Sequence, residues 1–118
     1  GQIDVTCLDN ILKDGKISAE KIAAIKIDIE GMEYQMLKGA RNFLKKYKPD
    51  LFIEIDKQKA MNRIDGLLLP MGYRKFYSFA GTPVWHYSHK SKVSYYRKVK
   101  LLFYFLFTKI KLGIRKLF

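Results

Sequence analysis

Four carboxylates and a glycine stand where two apolar runs of this chain end. Lys26 to Gly31 reads K-I-D-I-E-G, and Leu51 to Asp56 reads L-F-I-E-I-D. Asp28 and Glu30 close the first run, with Gly31 directly after them; Glu54 and Asp56 close the second. A carboxylate in such a place can take a proton from a bound hydroxyl or hold a ligand by accepting hydrogen bonds. Gly31 allows a turn geometry, or a close approach of backbone to ligand, that a side chain would forbid. Plainer roles compete. Asp28 can pair with Lys26 or a backbone amide. Glu30 and Glu33 can serve the start of the next helix, where an acid contributes about 0.3–1 kcal/mol.

These residues need strands to carry them. Ile25, Ile27 and Ile29 alternate with Lys26, Asp28 and Glu30, which predicts a strand over 24–30. From Met32 the period changes. Met36, Leu37, Ala40, Phe43, Leu44 and Tyr47 share one side of a helix running from about Met32 to just before Pro49. Residues 51–55 form a nearly continuous apolar run, the mark of a buried parallel strand. A second helix over 57–69 turns Met61, Ile64, Leu67 and Leu68 inward and stops at Pro70 and Gly72. In open α/β sheets ligands lie beyond the carboxyl ends of the strands, where all four acids fall. Two aromatic-rich segments, 73–79 and 82–88, flank Ala80-Gly81 and predict an antiparallel pair. The whole succession, β-α-β-α-β-β, is an α/β pattern.

Upstream, 2–7 is an extended lead-in or strand end. Leu8 to Lys13 forms one or two helical turns with Leu8, Ile11 and Leu12 inward, and Gly15 stops it. Asp9 belongs to a local turn or cap, and Ser18 caps a short turn over 19–21. Cys7, the single cysteine, reads as a small buried residue. His86 and His89 form H-x-x-H without a nearby cysteine or second acid, so no metal site is expected, only exposed or half-buried histidines.

Charge divides the chain. Residues 1–65 hold 12 Lys/Arg against 11 Asp/Glu, whereas 66–118 hold 11 Lys/Arg and no acid. The expected division is a folded part over 1–89 and a basic aromatic tail over 90–118. Read as a helix, the tail has an apolar stripe containing Phe103 and Leu106, flanked by Lys98, Lys100, Lys109, Lys111, Arg115 and Lys116. Its fully apolar stretch is seven residues, against about 20 for a membrane span, so an interfacial amphipathic helix on an anionic membrane surface is the better match. Nucleic acid is the competing partner, and packing on its own domain the plainest role. One cysteine and no signal-like apolar run near the start fit a cytoplasmic protein that reaches a membrane surface through this tail.

V-T-C-L-D-N-I-L, I-K-I-D-I-E-G-M-E-Y-Q-M-L-K-G-A, K-P-D-L-F-I-E-I and M-G-Y-R-K-F, in this order over residues 5–76, resemble the C-terminal half of an FkbM family methyltransferase. The resemblance implies a Rossmann-like, S-adenosylmethionine-dependent enzyme that methylates mostly hydroxyl oxygens, with an antiparallel last strand. It places Asp28, Glu30 and Glu54 as catalytic candidates, Asp28 and Gly31 against the cofactor, and Glu54 and Asp56 against the acceptor. The acceptor is expected to be a sugar, a glycan or another small molecule. One departure matters. The family's first strand and glycine-rich cofactor loop lie upstream of the matched segments, and no G-x-G occurs in this chain. The expectation is therefore a substrate-side half that is inactive alone. The alternative is a non-catalytic binding module that works through its tail.

Overall fold

A computed structural model describes residues 5–78 and 83–92. Its centre is a four-stranded mixed sheet. The strands are β1 (Ala24–Ile27), β2 (Asp50–Glu54), β3 (Tyr73–Ser78) and β4 (Val84–His89), in the order β1-β2-β4-β3. β1 and β2 are parallel, with Ile27 opposite Ile53. β4 runs antiparallel to both β2 and β3, so the expected antiparallel pair forms, with β4 inserted beside β2. The helices are α1 (Leu8–Lys13), α2 (Glu33–Lys38), α3 (Arg41–Tyr47) and α4 (Gln58–Leu68). Of the basic tail expected as a helix over 90–118, Lys90–Lys92 forms one short 3-10 turn, and 93–118, with all the candidate membrane-binding residues, lies outside the described residues.

One sheet face carries Ile27, Leu51, Ile53, Tyr73 and Tyr87, and these pack with Leu37, Phe43, Leu44, Ile64 and Leu68 of the helices in one buried cluster. Full burial of such side chains stabilises by roughly 1.5–3 kcal/mol each. Both tyrosine hydroxyls in this cluster have partners. Tyr73 donates its hydroxyl to the Pro49 carbonyl at 3.1 Å, and Tyr87 to Asp65 Oδ1 at 2.7 Å, while Lys75 pairs with Asp65 Oδ2. Burial raises the pKa of both tyrosines, and the Asp65 carboxylate adds to this at Tyr87.

The single long helix expected from Met32 is instead two, α2 and α3, broken at Gly39-Ala40. Two contacts from the N-terminal segment cause the break. A Cβ placed on Gly39 would lie 2.6 Å from the Cys7 Cβ, so only glycine allows this crossing. Asp9 then caps α3: its carboxylate accepts from Asn42 N and Phe43 N, each at 2.9 Å. Asp9 is therefore a cap, but of a helix more than thirty residues away rather than of its own turn. Cys7 is half-buried, and Ile11 points outward at 40 % exposure, contrary to the inward face expected for it. Ser18 begins the turn Ala19–Lys21 without a side-chain cap bond. Both histidines are buried, against expectation. His86 stacks on Phe52 with centroids 4.7 Å apart and lies 3.8 Å from the Asp50 carboxylate; His89 sits edge-on to Tyr73 at 5.7 Å.

Candidate active site

The alternating isoleucines form a shorter strand than their period suggests. β1 ends at Ile27, and residues 28–31 turn instead of extending to Glu30. The turn is strained: Glu30 has φ +48° and Gly31 φ +95°. A non-glycine residue in that region costs roughly 1–2 kcal/mol. Glu33, only 6 % exposed, holds the turn in place. Its Oε1 accepts from Gly31 N at 3.0 Å and from Ile29 N at 3.4 Å, the amides on either side of Glu30. Glu33 is thus more than a helix-start acid; it clasps the strand-to-helix turn.

Because β1 and β2 are parallel and in register, their carboxyl ends lie side by side. Asp28, Glu30, Glu54 and Asp56 line one cleft of about 560 Å³, together with Gly31, Glu33 and three cations, Lys57 just before α4 and Lys59 and Arg63 on it. All four acids singled out in the sequence are therefore brought together. Their settings differ. Asp28 is exposed and pairs with Lys26 at 3.3 Å, the plainer partner foreseen for it. Such a surface pair contributes about 0–1 kcal/mol, so it leaves the carboxylate available to a ligand. Asp28 lies just past the end of β1 and is exposed, so it carries no cost of burial. Glu54 is half-buried, while Glu30 and Asp56 are exposed at the rim. A Cβ on Gly31 would meet nothing within 4 Å, so glycine is needed there for its φ, and open space remains beside it.

Three features were missed in the sequence reading. Glu33 as a clasp could have been read from its place two residues after Gly31. Lys59 and Arg63, one helical turn apart around Ala60, mark the polar side of α4 that faces the cleft. The Asp50–His86 pair on the other sheet face needed the antiparallel register to be known. Burial lowers the His86 pKa, with Asp50 acting against it; burial and then Lys48 lower that of His89. Among the described residues no group of three His, Cys, Asp or Glu could hold a metal ion.

The described residues form an α/β domain with a mixed four-stranded sheet and an acid-lined crevice at the ends of its two parallel strands. The chain belongs to the FkbM methyltransferase family: the model of the methyltransferase FkbM domain matches residues 2–75. That match spans every cleft residue named above. Comparison with curated proteins and with solved structures finds no match.

Proposed function

We propose that the cleft is the acceptor side of an S-adenosylmethionine-dependent O-methyltransferase acting on a hydroxyl of a sugar, glycan or other small molecule. One observation carries the reading: the in-register parallel pair β1–β2 gathers four carboxylates around one cleft in a chain of a methyltransferase family. The donor set fits the cofactor, since five acids against three cations suit a positively charged sulfonium group, and the open space beside Gly31 leaves it room. S-adenosylmethionine supplies an electrophilic methyl group. Asp28 and Gly31 would hold it. Glu54 and Asp56 would hold the acceptor hydroxyl beside it. Glu30 would take the proton that the acceptor hydroxyl loses, while the electrons of the methyl–sulfur bond leave with S-adenosylhomocysteine. With no G-x-G in its sequence, the 118-residue chain alone binds the cofactor weakly and turns over little.

The basic tail extends this reading to a membrane surface. Nine Lys/Arg and no acid over 90–118 support attraction to an anionic leaflet, worth about 1 kcal/mol per basic residue. Among the described residues no helix is long and apolar enough to cross a membrane.

The test is transfer of labelled methyl from S-adenosylmethionine by the full-length gene product to a panel of sugars and glycans. An alkali-stable product is expected, as an ether would be. Alkali-labile label would indicate a methyl ester and overturn the hydroxyl assignment.

A further inference from the structure

On the outer side of the helices a second concavity, of about 510 Å³, is lined by Tyr34, Arg41, Lys45 and Arg63 over Leu67 and Met71. Its lining contains no acid. Among the described residues, ion pairs form at Lys16, Lys26, Lys75 and His86, and at none of these three cations. Exposed lysines and arginines on helices are usually a solvated face. Here three converge on one hollow with an apolar floor, and one is held in place. The Arg63 guanidinium lies 4.1 Å from the centroid of the Tyr34 ring. Stacked there, the planar group is oriented while its N–H edges remain open to an oxyanion.

Arg63 also lines the acid cleft, so it is the shared wall between the two hollows. The carboxylates on one side of that wall repel an anion; the cations on the other attract one. We infer that this groove is a phosphate site, and that the acceptor methylated in the cleft carries a phosphate ester. This rests on the methyltransferase reading for the acceptor's identity, though not for the site itself. Phosphate is the best match among oxyanions. A phosphate monoester carries about −1.5 to −2 at pH 7, enough to balance most of the three positive charges, where a single carboxylate is not. Arginine recognises its oxygens in a fork geometry, and lysine adds a point charge. The acceptor would thereby be oriented, its hydroxyl toward Glu30 and Glu54 and its phosphate over Arg63 toward Arg41 and Lys45.

The phosphate could belong to a soluble sugar phosphate or to a lipid headgroup, and the test separates them. Inorganic phosphate, glucose 6-phosphate and glucose are titrated into the isotope-labelled protein, and phosphatidic acid liposomes are compared with neutral ones by sedimentation. Arg63→Gln and Lys45→Gln are measured beside the parent, with circular dichroism to check folding; both residues are exposed. Phosphate and glucose 6-phosphate should shift amide resonances around 34, 41, 45 and 63, and glucose should not. Each variant should weaken binding by about tenfold. A soluble source gives tighter binding of glucose 6-phosphate than of inorganic phosphate. A lipid source gives liposome binding that both variants reduce. Absence of shifts with either phosphate, or affinities unchanged in both variants, would overturn the site. Shifts that persist while no acceptor is ever methylated would instead sink the methyltransferase reading and leave the site standing.

Discussion

Replacing Glu33 by alanine tests how the candidate active site is held together. The Glu33 carboxylate is nearly buried and accepts from Gly31 N at 3.0 Å and Ile29 N at 3.4 Å. A hydrogen bond to a charged group contributes about 1.5–3 kcal/mol. The bond to Gly31 has good length and counts in full, while the longer one to Ile29 adds little. Loss of the acid from the first turn of α2 adds up to about 1 kcal/mol. Water can reach part of the exposed turn and repair some of the damage. The net expectation is a destabilisation of about 2–3 kcal/mol, a loss of about 1–2 M in urea midpoint for a typical small-domain slope. Released from the clasp, Glu30 should also leave its left-handed conformation, so cleft residues should show changed amide shifts even in protein that remains folded. Glu33→Gln keeps one acceptor oxygen and should lose less than the alanine variant. A Glu33→Ala unfolding free energy within about 0.5 kcal/mol of the parent's would refute the clasp, since that is the scatter expected of an ordinary surface substitution.

Three further outcomes are expected. Gly39→Ala should destabilise by about 1–3 kcal/mol through its clash with Cys7, and Cys7→Gly should relieve most of that loss; additive effects in the double variant would contradict the close crossing. Stability should fall as pH drops. His86 and His89 have pKa values below the ordinary 6.5, so the unfolded chain binds their protons first; the full contribution is present above about pH 6.5 and is lost toward their folded values. Urea midpoints at pH 7.5 and 5 should show this fall, and His86→Phe should lessen it. Finally, the chain should sediment with anionic liposomes, only partly released by high salt, and deletion of 93–118 should abolish this. Failure to bind liposomes, with steeply salt-dependent binding of single-stranded oligonucleotide, would give the tail to nucleic acid.

Local pattern carried most of the architecture. The isoleucine alternation is a strand as far as Ile27, and the apolar run from Leu51 as far as Glu54, because Ile27, Leu51 and Ile53 meet a buried sheet face; the inward set of α4 follows from its helical period. Both strands end near the acids that mark the cleft, so the cleft was legible too. What was not legible depends on contacts between distant parts of the chain. The break at Gly39 is set by Cys7, and the cap on α3 by Asp9. No helical period contains either. The position of β4 between β2 and β3 determines that Asp50 and His86 meet in a buried setting, which neither residue's neighbours reveal. No motif in the sequence marks Arg63, which the fold places between two hollows of opposite charge.

Asp28→Asn shows whether the acids at the ends of β1 and β2 serve methyl transfer. The substitution keeps shape, removes charge, and gives up only the exposed pair with Lys26. Turnover of the full-length gene product should be measured with labelled S-adenosylmethionine, alongside its urea midpoint. Turnover should fall by about 10²-fold or more while the unfolding free energy stays within about 0.5 kcal/mol of the parent's. Parent-like turnover in Asp28→Asn would contradict that role and leave Asp28 as no more than the partner of Lys26.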